Sequence, residues 1–271
     1  MSTPPKARAG TLITRAAQST LFGALALAAF FTSALAAPIA SANAGDASCA
    51  NVEVVFARGT LEAPGVGATG QAFVDALNGR LQGKTVDVYG VDYPASLDFG
   101  RATDGIADAS NRIQSIAANC PATKIVLGGY SQGAAVAGYT TASSVPAGFT
   151  LPAGISGPMP PAIASHVAAV VLFGTPDDWF LNLADHQAPP IAIGAPYAGK
   201  TLQLCAAGDP VCFPGGTDRG AHSSYKVNGM AVQAADFVGR QLGIAAPAAP
   251  VEQSSAELGP QQPAPAPAPA G

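Results

Sequence analysis

The chain has 271 residues, is 48% hydrophobic and only 11% charged, and carries a formal charge of −4. That is apolar matter enough for a sizeable core, in one α/β domain or two small ones. No basic stripe exists, so nucleic-acid binding has no electrostatic support.

Residues 1–44 read as an export signal. Lys6, Arg8 and Arg15 precede an apolar run from Leu21 to Phe31, and small residues follow, with A-x-A-like sites ending at Ala36 and at Ala44, the latter favoured. The apolar run is about half of the ~20 residues a membrane-spanning helix needs, and no other stretch could span a bilayer. Removing residues 1–44 takes away three of the 13 basic residues and none of the 17 acidic ones, leaving a charge of −7. Export also suits the cysteines. All four, Cys49, Cys120, Cys205 and Cys212, lie beyond the signal, and an even number in an exported chain suggests two disulfides with three possible connectivities. Their spacing matches no zinc site, and no metal is expected.

The first strand is Val52 to Ala57, ending in Arg58-Gly59-Thr60. A helix follows over Gly65 to Leu81, with Gly70, Phe73, Val74, Leu77 and Leu81 on one face. Val86 to Val91 is a second strand, leading into the turn-rich Asp92-Tyr93-Pro94-Ala95-Ser96. Thr103 or Asp104 is expected to cap the next helix, whose apolar face is Ile106, Ala109, Ile113, Ile116 and Ala117 and which Cys120-Pro121 ends.

Lys124 to Ala137 reads KIVLGGYSQGAAVA. A short buried-strand run, Ile125 to Leu127, gives way to a small apolar helix, and at the join sits Gly129-Tyr130-Ser131-Gln132-Gly133. With 31 glycines in the chain a Gly-x-Ser-x-Gly match means little alone. Between a strand and a helix it is a nucleophile elbow. The glycines remove Cβ atoms that would collide across the turn, and the helix start aims amides at the serine.

Beyond the elbow, Val145 to Pro161 is a proline- and glycine-rich loop. His166 precedes a fourth strand, Val167 to Phe173, with Gly174 to Trp179 as its exit. Leu183 to Gly199 is irregular, Thr201 to Ala206 is a fifth strand, and a final helix is expected after Ser223-Ser224, burying Ala231, Ala234, Ala235, Val238 and Leu242. Strands alternating with helices mean a parallel sheet covered on both faces, with function at the C-terminal strand edge. From residue 245 the composition shifts to a proline- and alanine-rich tail.

A nucleophilic serine needs a base, and the base needs a carboxylate to fix its tautomer. In α/β hydrolases these follow the serine in the order acid, then histidine. Asp177 with His186 and Asp209 with His222 both satisfy that order; His166 comes too early. A bridge between Cys205 and Cys212 would enclose Asp209 and pin it, which favours the second pair. It would leave Cys49 and Cys120, each three or four residues ahead of a strand, to pair with one another.

Arg58-Gly59-Thr60, the elbow, and Gly208-Asp209-Pro210-x-Cys212 with His222 thirteen residues after Asp209 together resemble the cutinase family, and the alanine-rich composition is similar to the cutinase-like esterases secreted by actinobacteria, mycobacteria included. The resemblance covers about Cys49 to Leu242. It implies an α/β-hydrolase-like sandwich with a five-stranded parallel sheet and no large lid, the disulfides Cys49–Cys120 and Cys205–Cys212, and the triad Ser131, Asp209 and His222. It also implies an oxyanion hole from the amides of Thr60 and Gln132, and needs no cofactor. The cleft would lie between Pro94–Phe99, with Leu97 and Phe99 as apolar contacts, and the loop Phe213–Ala221, with Tyr130 beside the serine. Thr217, Asp218 and Arg219 in that loop, and the length of Val145–Pro161, depart from cutinases that act on polymer surfaces. The expectation is an exported, monomeric serine esterase for short to medium acyl chains, with a signal at 1–44, a catalytic domain at 45–244 and a tail at 245–271. Its rivals are a lipase or phospholipase for long chains, and a non-catalytic envelope protein that kept the fold.

Overall fold

A computed structural model describes residues 49–146 and 150–245. The expected signal (1–44), all but the first residue of the expected tail and residues 147–149 of the long loop lie outside the described residues.

Five parallel strands form the sheet in the order β2-β1-β3-β4-β5: β1 Val52–Ala57, β2 Val86–Gly90, β3 Lys124–Tyr130, β4 Val167–Phe173 and β5 Thr201–Leu204. The sheet is covered on both sides, so its central strands are apolar on both faces. In β1, Val54 and Phe56 join one core, with Phe73 and Leu77 of α1 (Gly67–Arg80) and Ala234 and Val238 of α7 (Met230–Gln241). Val55 and Ala57 join the other, with Ile113 of α2 (Ala102–Asn119) and Val136 of α3 (Gln132–Thr140). All five residues expected on the apolar face of α2 are buried. The disulfides are Cys49–Cys120 and Cys205–Cys212, with Cα atoms 5.7 and 5.9 Å apart. The first ties the approaches to β1 and β3, which are neighbours.

Several elements differ from the sequence-based expectation. The fourth strand's exit turns at once into a helix, α4 (Asp178–Ala184), and the irregular stretch holds a single turn, α5 (Ala195–Ala198). His222 ends another short helix, α6 (Arg219–His222), and the last helix starts only at Met230, after Gly229 in a left-handed conformation. Neither Thr103 nor Asp104 is the cap of α2. A 3-10 turn, Phe99–Arg101, leads into the helix, and both residues lie in its first turn. There Thr103 Oγ1 donates to the Gly100 carbonyl and Asp104 pairs with Arg101.

Candidate active site

Three sheet-edge elements converge at the C-terminal ends of the strands. The first is the elbow. Ser131 sits at φ 56°, ψ −120°, a conformation that costs on the order of 1–3 kcal/mol for a residue with a side chain. The glycines flanking it make it possible. A Cβ on Gly129 would lie 2.0 Å from the Gly133 carbonyl oxygen, and one on Gly133 would lie 2.0 Å from that of Ala57. The turn is tight because nothing else fits between β1, β3 and α3.

The second element is the loop after β5. The Cys205–Cys212 bridge closes it, and the fully buried Asp209 carboxylate is held from several sides. Oδ1 accepts from the Val211 amide at 2.8 Å, and Oδ2 accepts from the Tyr225 hydroxyl at 2.5 Å. Burial alone would push the Asp209 carboxyl up. The bonds from His222, Tyr225 and the Val211 amide outweigh it and hold the group below its ordinary value. Tyr225 is driven the other way, first by burial and then by its bond to the carboxylate, so its phenol stays protonated and keeps donating.

The third element is α6, whose last residue is His222. Asp218 caps this turn by accepting from the Gly220 amide at 2.7 Å. The imidazole Nδ1 lies 2.8 Å from both Asp209 oxygens, and Nε2 lies 2.9 Å from Ser131 Oγ. The unbroken chain of Ser131, His222 and Asp209 is therefore assembled, with Asp209 fully buried and Ser131 keeping a small exposed face.

The structure does not bring Asp177 and His186 into this cluster. Asp177 is the N-cap of α4, accepting from the Phe180 amide at 2.8 Å, while His186 is exposed. His166 stands at the opposite end of β4, where its carbonyl accepts from the Ile125 amide. Cys205, Asp209 and Cys212 lie within metal-ligand reach of one another, but both sulfurs are in the bridge and the carboxylate is occupied by His222 and Tyr225.

Gln132 follows Ser131 in the elbow, Thr60 lies in the loop after β1, and their amides donate to no group among the described residues. The loop carrying Thr60 is braced at each end. Buried Arg58 donates to the carbonyls of Glu62, Val91 and Tyr93 and stacks over the Tyr93 ring. The Glu62 carboxylate accepts from the Gly59 and Ala68 amides, both at 2.7 Å. Leu61 and Ala95, both in the left-handed region, are joined by a bond from the Leu61 amide to the Ala95 carbonyl at 2.6 Å. Gln132 Nε2 donates to the Ser96 carbonyl at 3.0 Å. One turn, Ala95-Ser96, therefore holds Gln132 directly and Thr60 through its neighbour Leu61.

Of the expected cleft residues, Leu97 and Phe213 are exposed and Phe99 is half-buried. Tyr130 turns inward. Its ring packs on the His222 ring with centroids 5.1 Å apart, and its hydroxyl donates to the His222 carbonyl at 2.7 Å. Sequence reasoning missed Tyr225 and Glu62. The signal for Tyr225 was its place three residues after His222, one helical turn on. For Glu62 it was a carboxylate beside a loop rich in unpaired amides.

A family model described as cutinase matches residues 48–242. "Probable carboxylesterase Culp5" of Mycobacterium tuberculosis is 53% identical over 171 residues, which are 63% of this chain and 95% of the relative. Phospholipase Culp4 of the same organism is 44% identical over 229 residues, 84% of this chain and 95% of the relative. Among solved structures, a Trichoderma reesei cutinase in complex with a phosphonate inhibitor is 34% identical with a TM-score of 0.53, covering 72% of this chain and 77% of the other. An acetylxylan esterase is 27% identical with a TM-score of 0.59, covering 72% of this chain and all of the other.

Proposed function

The chain belongs to the cutinase family and is a carboxylic ester hydrolase, and on that premise we propose that Ser131, His222 and Asp209 are its catalytic triad, with the Thr60 and Gln132 amides as the oxyanion hole. The observation that carries this reading is the relay itself, 2.9 Å from Ser131 Oγ to His222 Nε2 and 2.8 Å from Nδ1 to Asp209.

His222 Nε2 takes the Ser131 proton as Oγ attacks the ester carbonyl carbon. Negative charge moves to the carbonyl oxygen, where the two unpaired amides receive it; such donors each contribute on the order of 10²–10³ in rate. The imidazolium formed is stabilised by Asp209, which fixes Nδ1–H and stays ionised. Nε2–H then protonates the departing alcohol oxygen and leaves an acyl group on Ser131. Water, deprotonated by His222, attacks that ester, and the carboxylic acid departs as the proton returns to Oγ.

The protein is exported, residues 1–44 being removed and 245–271 forming a tail on a monomeric catalytic domain; two disulfides support that compartment. N-terminal sequencing of the mature protein distinguishes cleavage at Ala44 from cleavage at Ala36. The substrate is an ester of short to medium acyl chain. The family test is a fluorophosphonate: it should label Ser131 stoichiometrically and should not label Ser131→Ala. A folded wild type that takes up no label would mean a scaffold without catalysis.

A further inference from the structure

We propose that the far end of α3 carries a second binding site, separate from the triad, which takes the alkyl chain of a single-chain lipid with an uncharged, hydroxyl-bearing head. A cavity of about 360 Å³ lies between α2, the end of α3 and residues 151–159 and 189–195. Its volume falls in the range of roughly 300–1,000 Å³ in which small molecules are held. None of Ser131, His222, Asp209, Thr60 and Gln132 lines it. Tyr139, where it begins, stands seven residues beyond Gln132, or about 10 Å along the helix.

Prolines keep the cavity hollow. Pro152, Pro158, Pro189 and Pro190 line it. A proline ring is short, fixes φ and has no amide N–H, so these loops neither reach across the space nor bring amide donors into it. Between them Ile155, Met159 and Ile193 rest on the core packed against α2 and α3 and turn their remaining surface to the cavity. Both loops are tied down beside the helix. The Tyr139 hydroxyl donates to the Pro189 carbonyl, and a Cβ on Gly194 would lie 2.2 Å from the Thr141 carbonyl oxygen. A site built this way is largely formed before anything binds, which keeps the ordering cost low.

The lining selects the occupant. No charged side chain among the described residues lines the cavity, and burial pushes the Tyr139 phenol up to about 12, so it stays neutral. The Thr140 hydroxyl is spent on the Val136 carbonyl. A carboxylate, phosphate or ammonium drawn in from water would find no compensating charge there. Tyr139 is the one aromatic residue in the lining, so flat rings have little to stack on, whereas an aliphatic chain of about ten carbons has room. Past Ile106, Tyr139, Pro146 and Pro189 the cavity opens into a trough of about 610 Å³ that carries Thr103, Gln187 and Asp185. A polar head stays wet in that trough. Asp185 is positioned there by the Gln187 amide at 3.0 Å, and its charge is felt at the Tyr139 hydroxyl. An alcohol can donate to this carboxylate, while an acid head is repelled by it.

The test uses the methionines. The chain has three, Met1, Met159 and Met230. Met159 lines the cavity, while Met230 opens α7 on the other side of the sheet and serves as the control. In protein carrying ¹³C-methyl methionine, decan-1-ol should shift the Met159 resonance saturably and leave that of Met230 in place. Affinity should rise about tenfold from octan-1-ol to decan-1-ol, since each buried methylene contributes up to about fourfold. Decanoate at pH 8 should bind at least tenfold more weakly than decan-1-ol, and Asp185→Asn should bring the two within about threefold. Ala192→Phe and Ile155→Phe fill the cavity from different loops. Each should weaken decan-1-ol at least tenfold with the circular dichroism spectrum unchanged. A Met159 resonance that does not move, or moves in step with Met230, overturns the site. So do decanoate binding as tightly as decan-1-ol, and folded filled variants that bind like wild type. None of these readouts depends on Ser131, so the site stands or falls separately from the esterase reading.

Discussion

The two walls of the site are built by different means. The histidine wall is fixed by a disulfide around Asp209, a fully buried carboxylate with charge-assisted bonds, and three mutually packed aromatic rings, Tyr130, His222 and Tyr225, with Tyr225 edge-on to the other two. The opposite wall, from Leu61 through the Ala95-Ser96 turn to α4, is held by hydrogen bonds to the main chain, those of Arg58, Glu62 and Asp177 among them, and leaves Leu61, Leu97, Trp179 and Leu183 each more than 60% exposed. Proton transfer tolerates little displacement, so the groups that move protons are locked by covalent and ionic means. Chain recognition by apolar surface is graded in area and needs no such precision.

Removing the locked wall's reacting groups should have the largest effect. Ser131→Ala and His222→Ala should each lower kcat by on the order of 10⁵–10⁶, and the double variant should lose little more, because the triad acts as a unit. Asp209→Asn should cost on the order of 10⁴ with the fold retained. Steady-state kinetics alongside circular dichroism would show it.

Next comes Tyr225→Phe. It withdraws a hydrogen bond to a charged acceptor, typically 1.5–3 kcal/mol. It should reduce kcat by roughly 10- to 100-fold and leave the acyl-length profile unchanged. The pH dependence gives a second readout. Because the folded Asp209 carboxyl lies below its ordinary value, its stabilising contribution is present above the unfolded value of about 3.9 and is lost as pH falls through the lower folded value. Weakening that depression should move the acid-unfolding midpoint of Tyr225→Phe to higher pH. An unchanged midpoint would mean that the phenol does not hold the carboxylate.

Opening the bridge should come third. Cys205→Ser with Cys212→Ser releases a short loop worth about 2–3 kcal/mol in chain entropy. Activity should fall tenfold or more at temperatures where the circular dichroism spectrum is still native. Loss of activity only in step with unfolding would assign the bridge to stability alone.

The smallest effect belongs to the outer wall. Asp177→Asn should keep activity within about twofold, since Asn also caps helices, and Asp177→Ala should cost about 0.5–2 kcal/mol in stability without altering the pH profile. A collapse of activity in folded Asp177→Asn would break the division between the walls.

The same division governs what could be read from the sequence. The strands were legible because a sheet covered on both faces demands continuous apolar runs, as in VEVVFA and VAAVVLF. The elbow was legible because only glycine fits the contacts on either side of Ser131. Asp209 and His222 followed from chain order and from the cysteines around the acid. The soft wall was not legible. In α4, DWFLNLA is apolar nearly all round, since Trp179 and Leu183 face outward while Leu181 faces in, so no 3.6-residue stripe marks it as a helix. The last helix was placed too early because Ser223 and Ser224 look like caps. Their hydroxyls instead close back on the α6 turn, and Asn228 with left-handed Gly229 makes the true start. Tyr225 carried no motif beyond its spacing from His222; its role exists only once the loop folds back onto Asp209.

The tether from Tyr130 to His222 has a consequence for the rhythm of turnover. While the acyl group is on Ser131, the oxygen that His222 Nε2 contacts in the free enzyme has no proton to offer, and that contact no longer anchors the ring from the serine side. The Tyr130 phenol, kept protonated by its burial, still donates to the His222 backbone from the residue next to the nucleophile. The histidine therefore does not have to be found again between the two half-reactions: it waits in place for the water molecule, and the second half of the cycle starts from the geometry that ended the first.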